Sequence, residues 1–299
     1  MDQANGLRLL LLAAIWGASF LFMRIAVPAF GAVNTAFLRV ALGALGLAAL
    51  LLLMRRSWRF AGKFWSSALL GVVNSGLPFL LYCLAARALP AGYSALLNAT
   101  TPLMGALIGC ACFGEVLSRR KWLGVAAGVL GVALIVPRGD GDAGTGMLVG
   151  IAACLLATAC YGTAGYLARR WIGDRGGLDA TLVAFGSQVG ATLFLLPFSL
   201  ATLAMNPLPA APPMSAWVSV LAVGLLCTAL AYILYFRLLA DLGPLRTLSV
   251  TFLVPPFGVL WGYLVLGETL APNALLGALV IGLAVWLVLH SESTVTTRR

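Results

Sequence analysis

Charge is scarce in this chain. Only 9% of its 299 residues are Asp, Glu, Lys or Arg, while 62% are hydrophobic and the mean hydropathy is +1.02. A soluble domain carries about 25% charged residues, so this chain cannot cover itself with a hydrated surface. That excludes a soluble globular protein and indicates an integral membrane protein. Histidine occurs once, at His290, and the six cysteines (Cys83, Cys110, Cys112, Cys154, Cys160, Cys227) form no CxxC pair. No metal site and no cofactor are expected, and the thiols read as buried apolar side chains. HExxH, GxSxG and paired intramembrane acids are all absent, which argues against an intramembrane enzyme.

Acids are missing from the apolar interior altogether. All nine (Asp2, Glu115, Asp140, Asp142, Asp174, Asp179, Asp241, Glu268, Glu292) fall in loops, tails or helix ends. Proton relays within membranes use acids or histidines inside the spans, so coupling through a buried carboxylate is disfavoured.

What the chain has is long apolar runs. A membrane helix needs roughly 20 apolar residues, and ten such stretches can be drawn, near 7–27, 32–54, 64–87, 91–113, 121–137, 146–168, 179–204, 215–236, 245–266 and 272–290. Barrel strands would be shorter and alternating. The first run exceeds a usual signal core and is read as a transmembrane helix.

The net charge of +10 could point to nucleic acid, but its placement argues for orientation instead. With the N-terminus inside, Arg8, Arg55, Arg56, Arg59, Lys63, Arg119, Arg120, Lys121, Arg169, Arg170, Arg175, Arg237, Arg246, Arg298 and Arg299 are all cytoplasmic. This positive-inside bias puts both termini in the cytoplasm, and no nucleic-acid partner is expected.

One turn occurs twice. GEVLSRRKWLG (114–124) and GETLAPNALLG (267–277) share their glycines, Glu and Leu at an offset of 153 residues. At that offset Gly71, Tyr82, Pro102, Gly105, Leu107 and Gly109 match Gly224, Tyr235, Pro255, Gly258, Leu260 and Gly262. A weaker echo at 145 pairs Trp16-Gly17 with Tyr161-Gly162 and Arg24 with Arg169. Two halves of five spans follow: 1–137 and 146–290, a linker at 138–145, and a cytoplasmic tail at 291–299. Five crossings invert the second half, so the basic turn falls inside and its uncharged copy outside. Inverted repeats are a recurring build of secondary transporters, with the substrate site near the midplane. Glu115 and Glu268 read as hairpin caps favouring the helix that follows.

Polar residues within the spans recur at helical spacing. Ser94, Asn98 and Thr101 share a face; Asn74, Ser75 and Tyr82 lie in the third span. Thr181, Gln188 and Thr192 lie in the seventh, Thr228, Tyr232 and Tyr235 in the eighth, Thr247 and Thr251 in the ninth. Trp16, Ser19, Thr158 and Tyr161 complete the set. A proline inside a helix frees the carbonyl four residues back, so Pro78, Pro102 and Pro255 free Asn74, Asn98 and Thr251 and mark candidate hinges. Such carbonyls line a cavity or bond neighbouring helices. Arg39 is the one charge well inside; it pairs with a substrate carboxylate or snorkels outward.

The stretches IWGASFLFMR (15–24), FLRVALGAL (37–45), NATTPLMGALIGCACFGEVLSRRKWLG (98–124) and FLVPPFGVLWGYLVLGETL (252–270) resemble the drug/metabolite transporter superfamily, in particular its ten-helix EamA-type members. The resemblance implies two inverted five-helix halves around a central cavity, with helices five and ten to the side and alternating access by rocking. It implies export from the bacterial inner membrane of small zwitterions, amino acids including aromatic ones, by a monomer or weak homodimer in lipid. A multidrug or other metabolite exporter of the same fold is the alternative. Phosphate-bearing substrates would call for more cationic groups than Arg39 and Arg24, and the first span lacks the glutamate of small multidrug proteins.

Overall fold

The computed structural model describes residues 3–136, 142–208, 211–243, 247 and 250–290, and all regular structure among them is helical. The tail 291–299, Arg246 and residues 138–141 of the expected linker lie outside the described residues. Residues 142–145 belong to a helix rather than to the linker.

The first helix is hydrogen-bonded from Gln3–Leu53, but Gly31 within it has φ 75° and ψ 164°, a region open to glycine at little cost. The chain folds back there. Met23 Sδ lies 3.3 Å from the Arg39 guanidinium, although sixteen residues of straight helix would hold them about 24 Å apart. Cys227 Sγ donates to Ile15 O, and Gly43 packs on the adjacent Thr228. Two antiparallel spans result, α1 (3–30) and α2 (32–53).

The remaining spans are α3 (Phe64–Ala85), α4 (Ala91–Asn98 and Thr101–Cys112, bent by 42°), α5 (Arg119–Ile135) and α6 (Asp142–Trp171). Then come α7 (Ala180–Met205), α8 (214–242), α9 (Val250–Leu266) and α10 (Pro272–Leu289). The protein is thus an all-α, multi-pass membrane protein of two inverted five-helix repeats.

Each helix of one half packs on one of the other. In lipid the apolar effect does not drive such contacts, and small residues that admit close backbones do. Gly17 of α1 meets Phe257 and Gly258 of α9, and Gly162 of α6 lies on Gly105 of α4. Gly43 and Gly46 of α2 face Thr228 and Ala229 of α8, while Gly71 of α3 and Gly190 of α7 sit on the backbones of Ser187 and Ala68. In α5 and α10, a Cβ on Gly131 would approach Gly277 O to 2.9 Å, and one on Gly277 would approach Gly131 O to 2.6 Å. Exchanging the halves turns the α1–α9 contact into α6–α4, turns α2–α8 into α7–α3, and returns α5–α10 to itself. The inverted repeat is therefore present in the packing as well as in the sequence.

Both copies of the repeated turn end a helix in the same way. Gly114 (φ 72°) and Gly267 (φ 65°) are left-handed, and the following Glu115 and Glu268 amides donate to Gly109 O and Gly262 O at 2.9 and 3.2 Å. Each bond spans one residue more than the six-to-one bond of a Schellman glycine cap. The glutamate side chains correct the sequence expectation, because neither serves the helix that follows it. Ser118 caps α5. Glu115 lies against Tyr166 of the other half, whose hydroxyl donates to Gly105 O at 3.3 Å, and Glu268 caps α4 by accepting from Ala91 N at 2.7 Å. The cysteine expectation also holds only in part: Cys83, Cys154 and Cys227 are buried, whereas Cys112 is exposed on the apolar surface.

Candidate functional site

The wide helical turns locate the centre. Val72–Gly76 in α3 and Ala222–Leu230 in α8 are π-helical, and at the 153-residue offset the first maps inside the second. Such turns are rare and cluster at functional sites. In a π turn a carbonyl accepts from the fifth residue on, as Val72 O does from Leu77 N. Pro78, just beyond, has no N–H to continue this series. Thr228 Oγ1 likewise donates to Val223 O at 2.9 Å.

Between these turns lie two aromatic pairs, each joining the halves. Trp16 of α1 stands 5.7 Å from Tyr235 of α8, and Tyr82 of α3 stacks on Tyr161 of α6 at 6.2 Å. Trp16 corresponds to Tyr161 and Tyr82 to Tyr235, so each pair is the image of the other. Phe20 packs edge-on against Tyr82 at 5.3 Å. Tyr82 Oη donates to Asn98 Oδ1 at 2.8 Å, at the end of the first segment of bent α4.

The proline bookkeeping from sequence needs correction at Asn98. Its carbonyl, freed by Pro102, accepts from Thr101 Oγ1 at 2.7 Å and is satisfied locally rather than offered to a cavity. Pro102 stands beside the 42° bend, and Pro255 lies with Pro256 inside α9. Thr251, the counterpart of Asn98, is half-buried in α9 and already has a partner.

Gln188 of α7 is fully buried and donates to Ser75 Oγ at 3.0 Å, next to half-buried Asn74 in the α3 π turn. Tyr232 of α8 lies alongside Gln188. The structure therefore brings together Trp16, Tyr82, Asn98, Tyr161 and Tyr235, with Gln188, Ser75, Asn74 and Tyr232 as a neighbouring polar group.

Arg39 stands within this group. Only 6% of it is exposed, its guanidinium lies 3.6 Å over the Phe79 ring, and its charge reaches Tyr82, Tyr161 and Tyr232. Phe20, Phe79 and Met23 were not among the sequence candidates, and Ser75 stood there only as one of the polar residues of the third span. Of these only Ser75 had a signal, its place beside Asn74.

Ion pairs between the halves lie toward both ends of α1. Arg8 meets Asp241 of α8 at 2.9 Å near its start. Toward the other end Arg24 meets Glu268 at 3.3 Å and donates to Ala86 O at 2.6 Å.

Comparison with known proteins agrees with this architecture. Residues 5–136 and 148–290 each match the EamA-like transporter family. The chain belongs to that family. Among curated relatives, the threonine/homoserine exporter RhtA of Escherichia coli K12 is 31% identical over 91% of this chain and 85% of its own. An S-adenosylmethionine/S-adenosylhomocysteine transporter of Chlamydia muridarum is 26% identical over 94% and 90%. One solved structure superposes with a TM-score of 0.60 at 18% identity, covering 96% of both chains, a likeness of fold. This EamA-family transporter thus places its aromatic pairs and its buried arginine where the two repeats meet.

Proposed function

We propose that this EamA-family protein exports amino acids, aromatic ones among them, and related small zwitterions across the bacterial inner membrane. The observation that carries the reading is the doubled aromatic contact, Trp16–Tyr235 and Tyr82–Tyr161. It sits where the repeats of secondary transporters form their sites, beside Asn98, Gln188 and Arg39. Aromatic walls accept apolar side chains by offset or edge-on packing, and the amide and guanidinium groups suit a zwitterion's polar end.

Alternating access follows if the Arg8–Asp241 and Arg24–Glu268 ties open one at a time around the site, with the α5–α10 contact staying closed. The bend at Pro102 and the π turns supply flexible points. The distribution of Lys and Arg supports cytoplasmic termini. With no carboxylate in the centre among the described residues, movement down the substrate gradient is the expected mode.

A second reading has one specific observation behind it: the relative named as a transporter of S-adenosylmethionine and S-adenosylhomocysteine. A flat heteroaromatic ring would also stack on such aromatic rings. Both readings are tested by efflux from proteoliposomes loaded with a panel of amino acids and with S-adenosylhomocysteine, with and without a proton gradient. Efflux of aromatic amino acids without a gradient is expected. Retention of every amino acid in the panel would reject the first reading.

A further inference from the structure

Among the described residues, Arg39 is a buried cation without a counter-ion. Its Nε has no hydrogen-bond partner, and Nη1 faces Met23 Sδ at 3.3 Å, a thioether that accepts only weakly. The Phe79 ring beneath the guanidinium offers an attractive quadrupole but no anion. The five carboxylates with described side chains are all engaged elsewhere. Asp241 and Glu268 pair with Arg8 and Arg24, and Asp174 meets Arg169. Asp179 caps α7 and Glu115 lies against Tyr166. A charge taken out of water is costly unless paired, and intramembrane charges mark substrate pathways.

The same group supplies no anion for a substrate's amine. Around Arg39 the side chains are tyrosine hydroxyls, thiols, the amides of Asn98 and Gln188, and apolar groups; Gln188 Oε1 has no hydrogen-bond partner among the described residues, but it is a neutral acceptor and not a carboxylate. Recognition is therefore one-sided: the centre is short of one negative charge and of no positive one.

Building on the site assigned under the proposed function, we infer that its required ligand feature is a carboxylate bound by Arg39, and that the ammonium group is dispensable. The substrate class then widens from amino acids to amphipathic monocarboxylates, such as aryl- or alkyl-substituted acids without an amine. It excludes amines and carboxyl esters of the same shape. A carboxylate on Nε and a terminal nitrogen would use the bidentate geometry of guanidinium.

The test uses the purified full chain and four probes of one shape: phenylalanine, 3-phenylpropanoate, phenylethylamine and phenylalanine methyl ester. Binding is read by competition against labelled 3-phenylpropanoate and by thermal shift. Phenylalanine and 3-phenylpropanoate should bind within about threefold of each other, and the amine and ester about thirtyfold or more weaker, as loss of a buried charge partner implies. Arg39→Gln should abolish the difference, and Arg39→Lys should restore part of it. Parity of the amine or ester with the acids in the wild-type chain overturns the inference, and so does binding of none of the four. The wild-type series needs no variant to fold. Amino-acid efflux with ester parity would reject this inference alone. Arg39-dependent binding of 3-phenylpropanoate without any amino-acid efflux would reject the exported substrate alone.

Discussion

Glu268, at the turn between α9 and α10, binds Arg24 of α1 with one carboxylate oxygen and the amide of Ala91 with the other. A single side chain thus joins three helices from both halves. Its counterpart Glu115 reaches Tyr166, so the repeated turn makes a cross-half contact at each end of the molecule.

Glu268 and Arg24 each hold the shared ion pair and one further contact. Glu268→Ala loses a helix cap and an ion pair, Arg24→Ala the pair and its bond to Ala86 O. The pair is partly exposed, with side-chain exposures of 30% and 15%, so its own share is about 1 kcal/mol or less. The cap adds about 1 kcal/mol. Arg24→Ala loses a charge-assisted bond worth at least as much, so thermal unfolding in detergent should show both variants destabilised; an unchanged melting temperature for Glu268→Ala would contradict the cap.

Arg8 and Asp241 are more exposed, at 35% and 43%, and breaking such a pair costs about 0–1 kcal/mol. Arg8→Ala should therefore leave the melting temperature nearly unchanged. Fixing the pair closed should not be neutral. In a chain with its native cysteines replaced, Arg8→Cys and Asp241→Cys joined by a short bis-maleimide should stop transport, and a reducible linker should restore it on reduction. Full transport with the link intact would show that this face does not open.

Two glycines of α10 should respond oppositely to the same change. A Cβ at Gly277 meets Gly131 O at 2.6 Å and Ile135 Cγ1 at 2.7 Å, while one at Gly282 meets nothing within 4 Å. Gly277→Ala should destabilise by roughly 1–3 kcal/mol through overpacking. Gly282→Ala should stabilise by roughly 0.5–1 kcal/mol. Melting curves of both variants check the sign.

Tyr82→Phe removes the hydroxyl that Asn98 accepts from, while leaving the ring on Tyr161. A loss of about 1 kcal/mol in stability and weaker uptake into the site are expected. Combined with Asn98→Ala, the second change should add less than it does alone, because both break one bond. Unchanged efflux of every tested amino acid in Asn98→Ala and Tyr82→Ala would remove these residues from the site.

The repeat was legible in the sequence because glycines, prolines and aromatics at a fixed offset leave a one-dimensional trace. The ten spans were legible because lipid demands long apolar runs. The destination of Glu268 was not, since its partners Arg24 and Ala91 lie 244 and 177 residues away and follow no periodicity. The π turns were hidden for another reason: they depend on which amide reaches a carbonyl, and the residues of Val72–Gly76, VVNSG, do not specify that register. Thr101 sat in plain view beside Asn98, yet its bond to the Asn98 carbonyl depends on a local bend.

The reciprocal contact of Gly131 and Gly277 also has a consequence in time. α5 is synthesised about 150 residues before α10, a delay of roughly 7–30 s at about 5–20 residues per second. Until then Gly128 of α5 has Leu103 of α4 to lie against, but Gly124 and Gly131 lack their α10 partner, and Asn98 and Tyr82 wait without the second half. The first five helices must therefore survive in the bilayer as a half-built intermediate, and the last helix to emerge is the one that closes it.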